Sequence, residues 1–213
     1  MTAPIRAVLW DADGVLQHGH PAPGHAGEQV AASWPERLHA IGGPGFAEAL
    51  FAAEKGPLRG EEPFRPVIQR LLEQRGLSVS ADEVLALWDD VHVDADAFAL
   101  VDRVRAQGVQ CVLATNQQDH RVALMRGTLG YDAHFDRTCY SSEVGAMKPE
   151  PEYFRRVLDD LGIAAAATLF IDDSAANVQA ARALGLSAEQ HDPRSGVAGL
   201  RRALAAHGVV VPA

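Results

Sequence analysis

Short apolar segments that alternate with helical patterns place the strongest constraint on the fold of this chain. Residues 5–10, 109–115 and 168–173 are apolar runs of strand length, and each ends in polar residues. Unbroken apolar runs of this length are typical of strands buried in a parallel sheet. Residues 137–142 are a weaker strand candidate, and residues 209–211 are either an edge strand or a tail.

The segments between these strands carry the apolar spacing and the end signals of helices. We expect helices over residues 98–108, 120–130, 148–162 and 174–185, and each of these segments ends at a glycine. Strands that alternate with helices of this length predict an α/β fold with a doubly wound, mostly parallel, Rossmann-like sheet. In such sheets, ligands bind at the carboxyl ends of the strands.

Residues 17–95 depart from this alternation, because they contain helical patterns and no clear strand. One of these patterns opens with a capping box formed by Ser80 and Glu83. We therefore predict an all-helical cap domain at residues 17–95, inserted into a core domain of residues 1–16 and 96–213. The insertion follows the first strand, so it would lie over the strand end that carries Asp11. We interpret the large aromatic residues of the insertion as its core: Trp34, Phe46, Phe51 and Trp88.

The composition argues against several classes of partner and location. The formal net charge is −9 at pH 7, which disfavours nucleic acid and anionic membranes as partners because both require basic clusters. The apolar stretch at residues 163–171 is too short to span a bilayer. Cys111 and Cys139 have no disulfide-framework spacing, and no secretory signal precedes the first strand, so we expect a cytoplasmic protein with reduced thiols. Both a monomer and a homodimer remain open.

Polar residues at four places converge on the predicted ligand edge of the sheet. They are Asp11 with Asp13, Thr115 with Asn116, Lys148, and Asp172 with Asp173. Carboxylates this close raise each other's pKa unless a divalent cation lies among them. Mg²⁺ prefers oxygen ligands and commonly binds a few carboxylates together with a substrate phosphate. The lysine and a threonine hydroxyl would stabilise an oxyanion, so the cluster suits phosphoryl transfer.

The order of these motifs (D-x-D-G-V, then Thr-Asn, Lys-Pro and D-D-x-x-x-N) resembles that of the haloacid dehalogenase superfamily. The resemblance spans residues 5 to about 190. The insertion after the first motif is similar to the helical-cap branch (C1, subfamily IA), which includes sugar-phosphate phosphatases and the phosphatase domain of soluble epoxide hydrolase. The cap itself matches no motif.

The resemblance implies a role for each motif residue. Asp11 would be the nucleophile and a Mg²⁺ ligand, and Asp13 the general acid and base, with its backbone carbonyl on the metal. Lys148 would bridge the nucleophile and the phosphate.

The remaining motif residues would bind phosphate and metal. Thr115 and Asn116 match the phosphate-binding pair, to which Lys148 also contributes. Asp173 matches the metal-binding acid, with Asp172 beside it as a further ligand or as its supporting partner. Asn177 matches a residue that braces this loop.

The implied function is a Mg²⁺-dependent phosphatase that hydrolyses a small phosphorylated metabolite, such as a sugar phosphate, through an aspartyl-phosphate. Dehalogenases of the superfamily lack an acid at the position of Asp13, because a departing halide needs no proton, so Asp13 favours phosphate esters. A phosphomutase of the β-phosphoglucomutase type and a 2-haloacid dehalogenase remain the alternatives. Signalling receiver domains also place acids, Thr and Lys around Mg²⁺, but they have about half this length and no acidic pair after the lysine.

Two further groups of residues match no motif. His18, His20 and His25 lie in a loop rich in Gly and Pro, and we interpret them as solvated histidines rather than metal ligands. Arg59, Arg65 and Arg121 are candidates for substrate contact that no spacing singles out.

Overall fold

A five-stranded parallel sheet forms the centre of the fold. The computed structural model describes residues 4–18 and 33–211. The strands in this part of the chain are β1 (Ala7–Trp10), β2 (Gln17–His18), β3 (His92–Val93), β4 (Gln110–Thr115), β5 (Arg137–Tyr140), β6 (Thr168–Asp172) and β7 (Ser187–Gln190). The sheet has the order β5-β4-β1-β6-β7, and every neighbouring pair is parallel. The strands predicted at residues 5–10, 109–115, 137–142 and 168–173 are confirmed as β1, β4, β5 and β6.

Of the two alternatives predicted for residues 209–211, an edge strand or a tail, the structure shows the tail. Residues 209–211 form no strand, and β7 occupies the sheet edge instead. Val209 is buried against the core, so this segment contributes by packing rather than by pairing. The sequence of β7, Ser-Ala-Glu-Gln, has little apolar character because an edge strand buries only part of its surface.

Eleven α-helices lie in the described residues. They are α1 (Trp34–Gly42), α2 (Phe46–Ala53), α3 (Lys55–Leu58), α4 (Phe64–Gln74), α5 (Ala81–Leu85), α6 (Ala95–Arg105), α7 (Asp119–Ala123), α8 (Ser141–Val144), α9 (Pro151–Leu161), α10 (Ala175–Ala183) and α11 (Gly196–Ala206). A π-helical turn at Leu124–Thr128 continues α7.

Helices cover both faces of the sheet, which confirms the doubly wound α/β fold. Side chains of β1 alternate between the faces, so Val8 and Trp10 pack with α6 and α11 while Leu9 packs with α9 and α10. The two hydrophobic clusters that result lie on opposite sides of one sheet. Because β4, β1 and β6 are parallel neighbours, their carboxyl ends meet at one edge of the sheet.

The insertion contains α1 to α5 and has a hydrophobic core of its own. Phe46, Phe64 and Trp88 are buried in this core, and Trp34 and Phe51 pack against it. The prediction of an all-helical insertion is wrong at its base, where Gln17–His18 (β2) and His92–Val93 (β3) form a short antiparallel pair. Strands of two residues are too short to show an alternating apolar pattern in the sequence. The capping box of Ser80 and Glu83 is present at the start of α5. The domain boundaries themselves stay a prediction.

The other compositional expectations concern the cysteines and the membrane. Cys111 and Cys139 are both buried free thiols. Among the residues that the structure describes, no helix has the length and apolar character that a bilayer crossing requires.

Candidate active site

Asp11 lies at the end of β1 in a buried, charged environment. Its Oδ1 atom is 2.8 Å from Nζ of Lys148 and accepts a 2.8 Å hydrogen bond from the backbone N–H of Ala12. Burial raises the pKa of the Asp11 carboxyl to about 8, although the charge of Lys148 opposes the shift. A cation beside this carboxyl would favour its ionised form.

Asp172 holds Lys148 in place from the end of β6. Its Oδ2 atom accepts a 2.6 Å bond from Nζ of Lys148. Its Oδ1 atom accepts bonds from the backbone N–H of Ser174 at 2.8 Å and from Nδ2 of Asn177 at 3.0 Å. Asn177 thus braces this loop, and both oxygens of Asp172 already have partners within the protein.

Asp11, Asp172 and Asp173 form a group that could hold a metal ion. One carboxylate oxygen from each lies within 4.8 Å of the other two. A set of three carboxylates fits Mg²⁺, which prefers hard oxygen ligands. Burial and the neighbouring charge of Asp172 raise the pKa of Asp173, as expected for acids gathered without a cation. Among residues 4–18 and 33–211, these three acids are the acids, histidines or cysteines whose side chains lie close enough together to bind one metal ion.

Gly14 permits the approach of Asp173 to the end of β1. Its φ angle is +77°, in the left-handed region that favours glycine. A Cβ atom at this position would lie only 2.5 Å from Oδ2 of Asp173. The glycine of the D-x-D-G motif therefore makes room for a predicted metal ligand from a different strand.

Asp13 has an environment that differs sharply from that of Asp11. Its side chain is 52% exposed, and it accepts hydrogen bonds from Nη2 of Arg121 at 2.8 Å and from Nε2 of Gln117 at 2.6 Å on its two oxygens. Nε2 of Gln17 donates a further 2.8 Å bond to it. The carboxylate of Asp13 is outside the acidic group that could hold a metal. Its predicted metal contact is made by the backbone carbonyl and stays a prediction.

Sequence reasoning missed most of the residues that orient Asp13. Gln17 is fully buried and also accepts a hydrogen bond from the hydroxyl of Tyr131. Arg121 was among three arginines that no spacing singled out. Gln117 and Arg121 follow the end of β4, and this position at the ligand edge is the signal that could have identified them.

Thr115 and Asn116 are both at the site, in different roles. Thr115 is buried, and its Oγ1 accepts a 3.2 Å bond from Nε2 of Gln117. The side chain of Asn116 makes two 2.8 Å bonds with the backbone N–H and carbonyl of Lys148. Asn116 therefore positions the lysine segment with its side chain, and its contact with phosphate stays a prediction.

A cavity of about 370 Å³ lies over Asp13 between the core and the insertion. Arg121 lines it, whereas Arg59 binds Glu150 and Arg65 pairs with Asp82. Of the loop histidines, His18 is not in the metal-binding group, and His20 and His25 lie outside the described residues. The predicted residues thus converge on one edge, with open space above the second aspartate.

The sequence model of the haloacid dehalogenase-like hydrolase family matches residues 5–185 of this chain. The chain belongs to this family. The match covers all four motifs and the insertion, and it confirms the predicted family and the prediction of a hydrolytic enzyme.

Phosphatases are among the curated relatives of the chain. GMP/IMP nucleotidase YrfG of Escherichia coli strain K12 is 32% identical over 114 residues, which cover 54% of this chain and 51% of the nucleotidase. The chain therefore matches about half the length of that relative. Phosphoglycolate phosphatase of Pectobacterium atrosepticum is 28% identical over 193 residues, which cover 85% of this chain and 77% of that enzyme.

Solved structures of the haloacid dehalogenase (HAD) family share the fold. The magnesium complex of the HAD family enzyme bt-2542 from Bacteroides thetaiotaomicron has a TM-score of 0.74 at 24% identity and covers 90% of this chain and 95% of that one. L-2-haloacid dehalogenase from Xanthobacter autotrophicus has a TM-score of 0.60 at 20% identity and covers 87% of this chain and 77% of that one. At these identities the likeness extends to the fold alone.

Proposed function

We propose that this HAD-like hydrolase is a Mg²⁺-dependent phosphatase that cleaves phosphate monoesters of small metabolites in the cytoplasm. The observation that carries the proposal is the contrast between its two close aspartates. Asp11 is buried against Lys148 and beside two more acids, whereas Asp13 is half-exposed under a cavity. Two carboxyl groups in such different environments suit two different roles in one reaction.

Asp11 is the proposed nucleophile. Its Oδ1 atom is engaged by Lys148 and by the N–H of Ala12, which leaves Oδ2 as the oxygen that attacks phosphorus. The P–O bond to the leaving alcohol breaks as the bond to Oδ2 forms, which gives an aspartyl-phosphate. Lys148 supplies positive charge next to the attacking carboxylate and to the transferred group.

Asp13 is the proposed general acid and base. Its carboxyl gives a proton to the leaving oxygen, and it then takes a proton from the water that hydrolyses the aspartyl-phosphate. Arg121, Gln117 and Gln17 hold this carboxylate in place through hydrogen bonds. Asp11, Asp172 and Asp173 would hold Mg²⁺. The bound ion would neutralise charge on the phosphoryl oxygens.

The relatives support phosphate ester hydrolysis over the alternatives. A GMP/IMP nucleotidase and phosphoglycolate phosphatases are among the curated relatives, and a neighbouring structure was solved with magnesium and inorganic phosphate. The protonatable Asp13 has no task in a dehalogenase, because a halide leaves without a proton. No observation on the site favours a phosphomutase.

Phosphate release tests the proposal directly. We expect release from p-nitrophenyl phosphate and from a panel of sugar phosphates and nucleoside monophosphates, in the presence of Mg²⁺ and not in EDTA. Asp11→Asn should lower kcat by at least about 10³-fold because the nucleophile is lost. Asp96→Asn, an exposed acid at the start of α6, is the matched control and should keep its activity.

Two results would contradict the proposal. Equal activity in Asp11→Asn and wild type would remove the nucleophile. Isomerised product without free phosphate, measured by NMR of the reaction mixture, would identify a phosphomutase instead.

A further inference from the structure

The cavity over Asp13 has walls from both halves of the molecule. Trp34, Glu54, Leu58 and Trp88 line it from the insertion, and Asp13, Asn116, Gln117 and Arg121 line it from the core. In the proposed reaction, Asp13 protonates the leaving oxygen. The space above this residue is therefore where the leaving alcohol would lie.

The cation that lines this cavity, Arg121, is ion-paired with Asp13. Arg121 donates from Nη2 to Asp13 and from Nη1 to the backbone carbonyl of Trp88, both at 2.8 Å. Its side chain is only 2% exposed. Arg121 is the only Lys or Arg among the described residues that line the cavity. The buried Nε–H of Arg121 has no partner, but the charge of Arg121 is already balanced by Asp13. Among the described residues that line the cavity, no unpaired cation is therefore present to receive a second anionic group of a substrate.

Glu54 is the remaining charged residue of the wall, and it is held rigidly. Its Oε1 atom accepts a 2.9 Å bond from Nε1 of Trp88. The ring of Trp88 is packed edge-on against Trp34 and Phe64, with centroid distances of 4.7 Å and 5.2 Å. Burial raises the pKa of Glu54 to about 7, so the carboxylate form dominates at pH 8.

We propose that Glu54 is a specificity-determining residue that selects phosphate monoesters whose leaving alcohol is uncharged and bears hydroxyl groups. Its carboxylate accepts hydrogen bonds from such hydroxyls and repels a leaving group that carries a carboxylate or a second phosphate. This inference rests on the proposed phosphatase function. It separates the chain from its phosphoglycolate phosphatase relatives, whose named substrate carries a carboxylate.

The test compares two small substrates at pH 8 with Mg²⁺ present. Glycerol 3-phosphate has a neutral leaving alcohol with two further hydroxyls, and phosphoglycolate has a leaving group with a carboxylate. We expect wild type to favour glycerol 3-phosphate by at least about tenfold in kcat/KM. Glu54→Gln keeps the acceptor for Trp88 and removes the charge, so the preference should shrink by about tenfold, mainly through faster phosphoglycolate turnover.

Matched variants separate charge from shape. Glu48→Gln removes an exposed charge from the neighbouring helix α2 and should leave the preference unchanged. Glu54→Asp keeps the charge and should keep most of the discrimination, which tests the idea even if Glu54→Gln fails to fold.

The outcomes distinguish this inference from the function on which it rests. Phosphate release with a wild-type preference for phosphoglycolate, or with the same preference in Glu54→Gln, would overturn the role of Glu54 alone. No release from either substrate or from p-nitrophenyl phosphate would overturn the phosphatase function, and the inference with it.

Discussion

At the scale of single residues, the spacing of Asp11 and Asp13 explains how one short motif provides two kinds of carboxyl group. Asp11 still belongs to the buried strand end, where Lys148 lies 2.8 Å away. Asp13 has left the strand and is half-exposed to the cavity, next to Arg121. Burial therefore acts on one acid far more strongly than on the other, and the two can carry out different steps of one reaction.

Gly14→Ala should damage the metal-binding group. Its Cβ would lie 2.5 Å from Oδ2 of Asp173, so this carboxylate would have to move away from Asp11. We expect the Mg²⁺ concentration that gives half-maximal activity to rise by about tenfold or more, and kcat/KM to fall. A titration of phosphatase activity against Mg²⁺ concentration measures both.

Gly76→Ala is the matched control for this substitution. Gly76 also has a positive φ angle, +63°, but a Cβ there would meet no atom within 4 Å. Both variants carry the backbone strain of about 1–2 kcal/mol, and only Gly14→Ala carries the clash. An unchanged Mg²⁺ requirement in Gly14→Ala would show that Asp173 tolerates displacement.

Glu54 predicts a pH dependence of stability. Burial raises its pKa to about 7, opposed by the hydrogen bond from Trp88 and the charge of Arg121 and assisted by the charge of Asp13. The folded protein thus holds the proton more tightly than the unfolded chain does. The free energy of unfolding should therefore fall as the pH rises from about 4.5 to 7, by about 3 kcal/mol from this group.

Urea denaturation from pH 5 to pH 8 measures this dependence. In Glu54→Gln the titrating group is absent, so wild type should lose stability relative to this variant as the pH rises. The exposed Glu48→Gln variant should follow wild type. Parallel curves for wild type and Glu54→Gln would mean that Glu54 is as easily ionised in the folded protein as in the unfolded chain.

The sequence predicted the residues at strand ends better than those that come from packing. Asp11, Thr115 and Asp173 are found together because they end or directly follow strands, and strand polarity alone places strand ends at one edge. Lys148 lies between α8 and α9 and needs its contact with Asp172 to reach the same edge. Asp13 also depends on Gln17 and Tyr131, which are far apart in the chain. Their meeting follows from tertiary packing, for which neither residue type carries a signal.

At the scale of elements, α7 connects the core to the insertion through three consecutive residues. Asp119 accepts a 2.8 Å bond from the backbone N–H of Phe64, at the start of α4. His120 lies 2.7 Å from Asp89, and Arg121 binds the carbonyl of Trp88. The same short helix thus contacts the insertion three times and holds Asp13 through Arg121.

Asp119→Ala should weaken this connection. The variant leaves the first N–H of α4 without its carboxylate acceptor, and such capping interactions contribute about 1 kcal/mol. We expect a loss of about that size in the free energy of unfolding, measured by urea denaturation. Asp119→Asn keeps an oxygen acceptor and should recover most of it, so equal losses in both variants would argue against the capping role.

Elements with weak apolar patterns were the ones that the sequence did not predict. The edge strand β7 has a mostly polar sequence, and α11 begins with Gly196 and follows no predicted strand. The long helix α9 was predicted because its prolines, first-turn acid and terminal glycine mark both ends. The local end signals of α9 act without tertiary context, whereas an edge strand is defined by its neighbour.

At the scale of the whole molecule, the core and the insertion have separate hydrophobic clusters and meet through polar contacts. The described contacts between them include the pairs Arg59–Glu150 and Arg121 with the Trp88 carbonyl. Polar contacts of this kind resemble those between domains that move relative to one another. Separate cores with a polar boundary support the predicted division into a core domain and a cap.

At the same scale, the acidic group of the core predicts that Mg²⁺ stabilises the whole protein. Asp11, Asp172 and Asp173 gather near one another in the folded protein only, so Mg²⁺ that binds them stabilises the folded state over the unfolded chain. At 100 times its dissociation constant, the ion should add about 2.7 kcal/mol, which raises the Tm by about 5–10 °C. Thermal unfolding with MgCl₂, compared with NaCl at equal ionic strength, measures the shift. Asp173→Asn should lose most of it and Asp96→Asn none, whereas an equal shift in all three proteins would place the bound Mg²⁺ elsewhere.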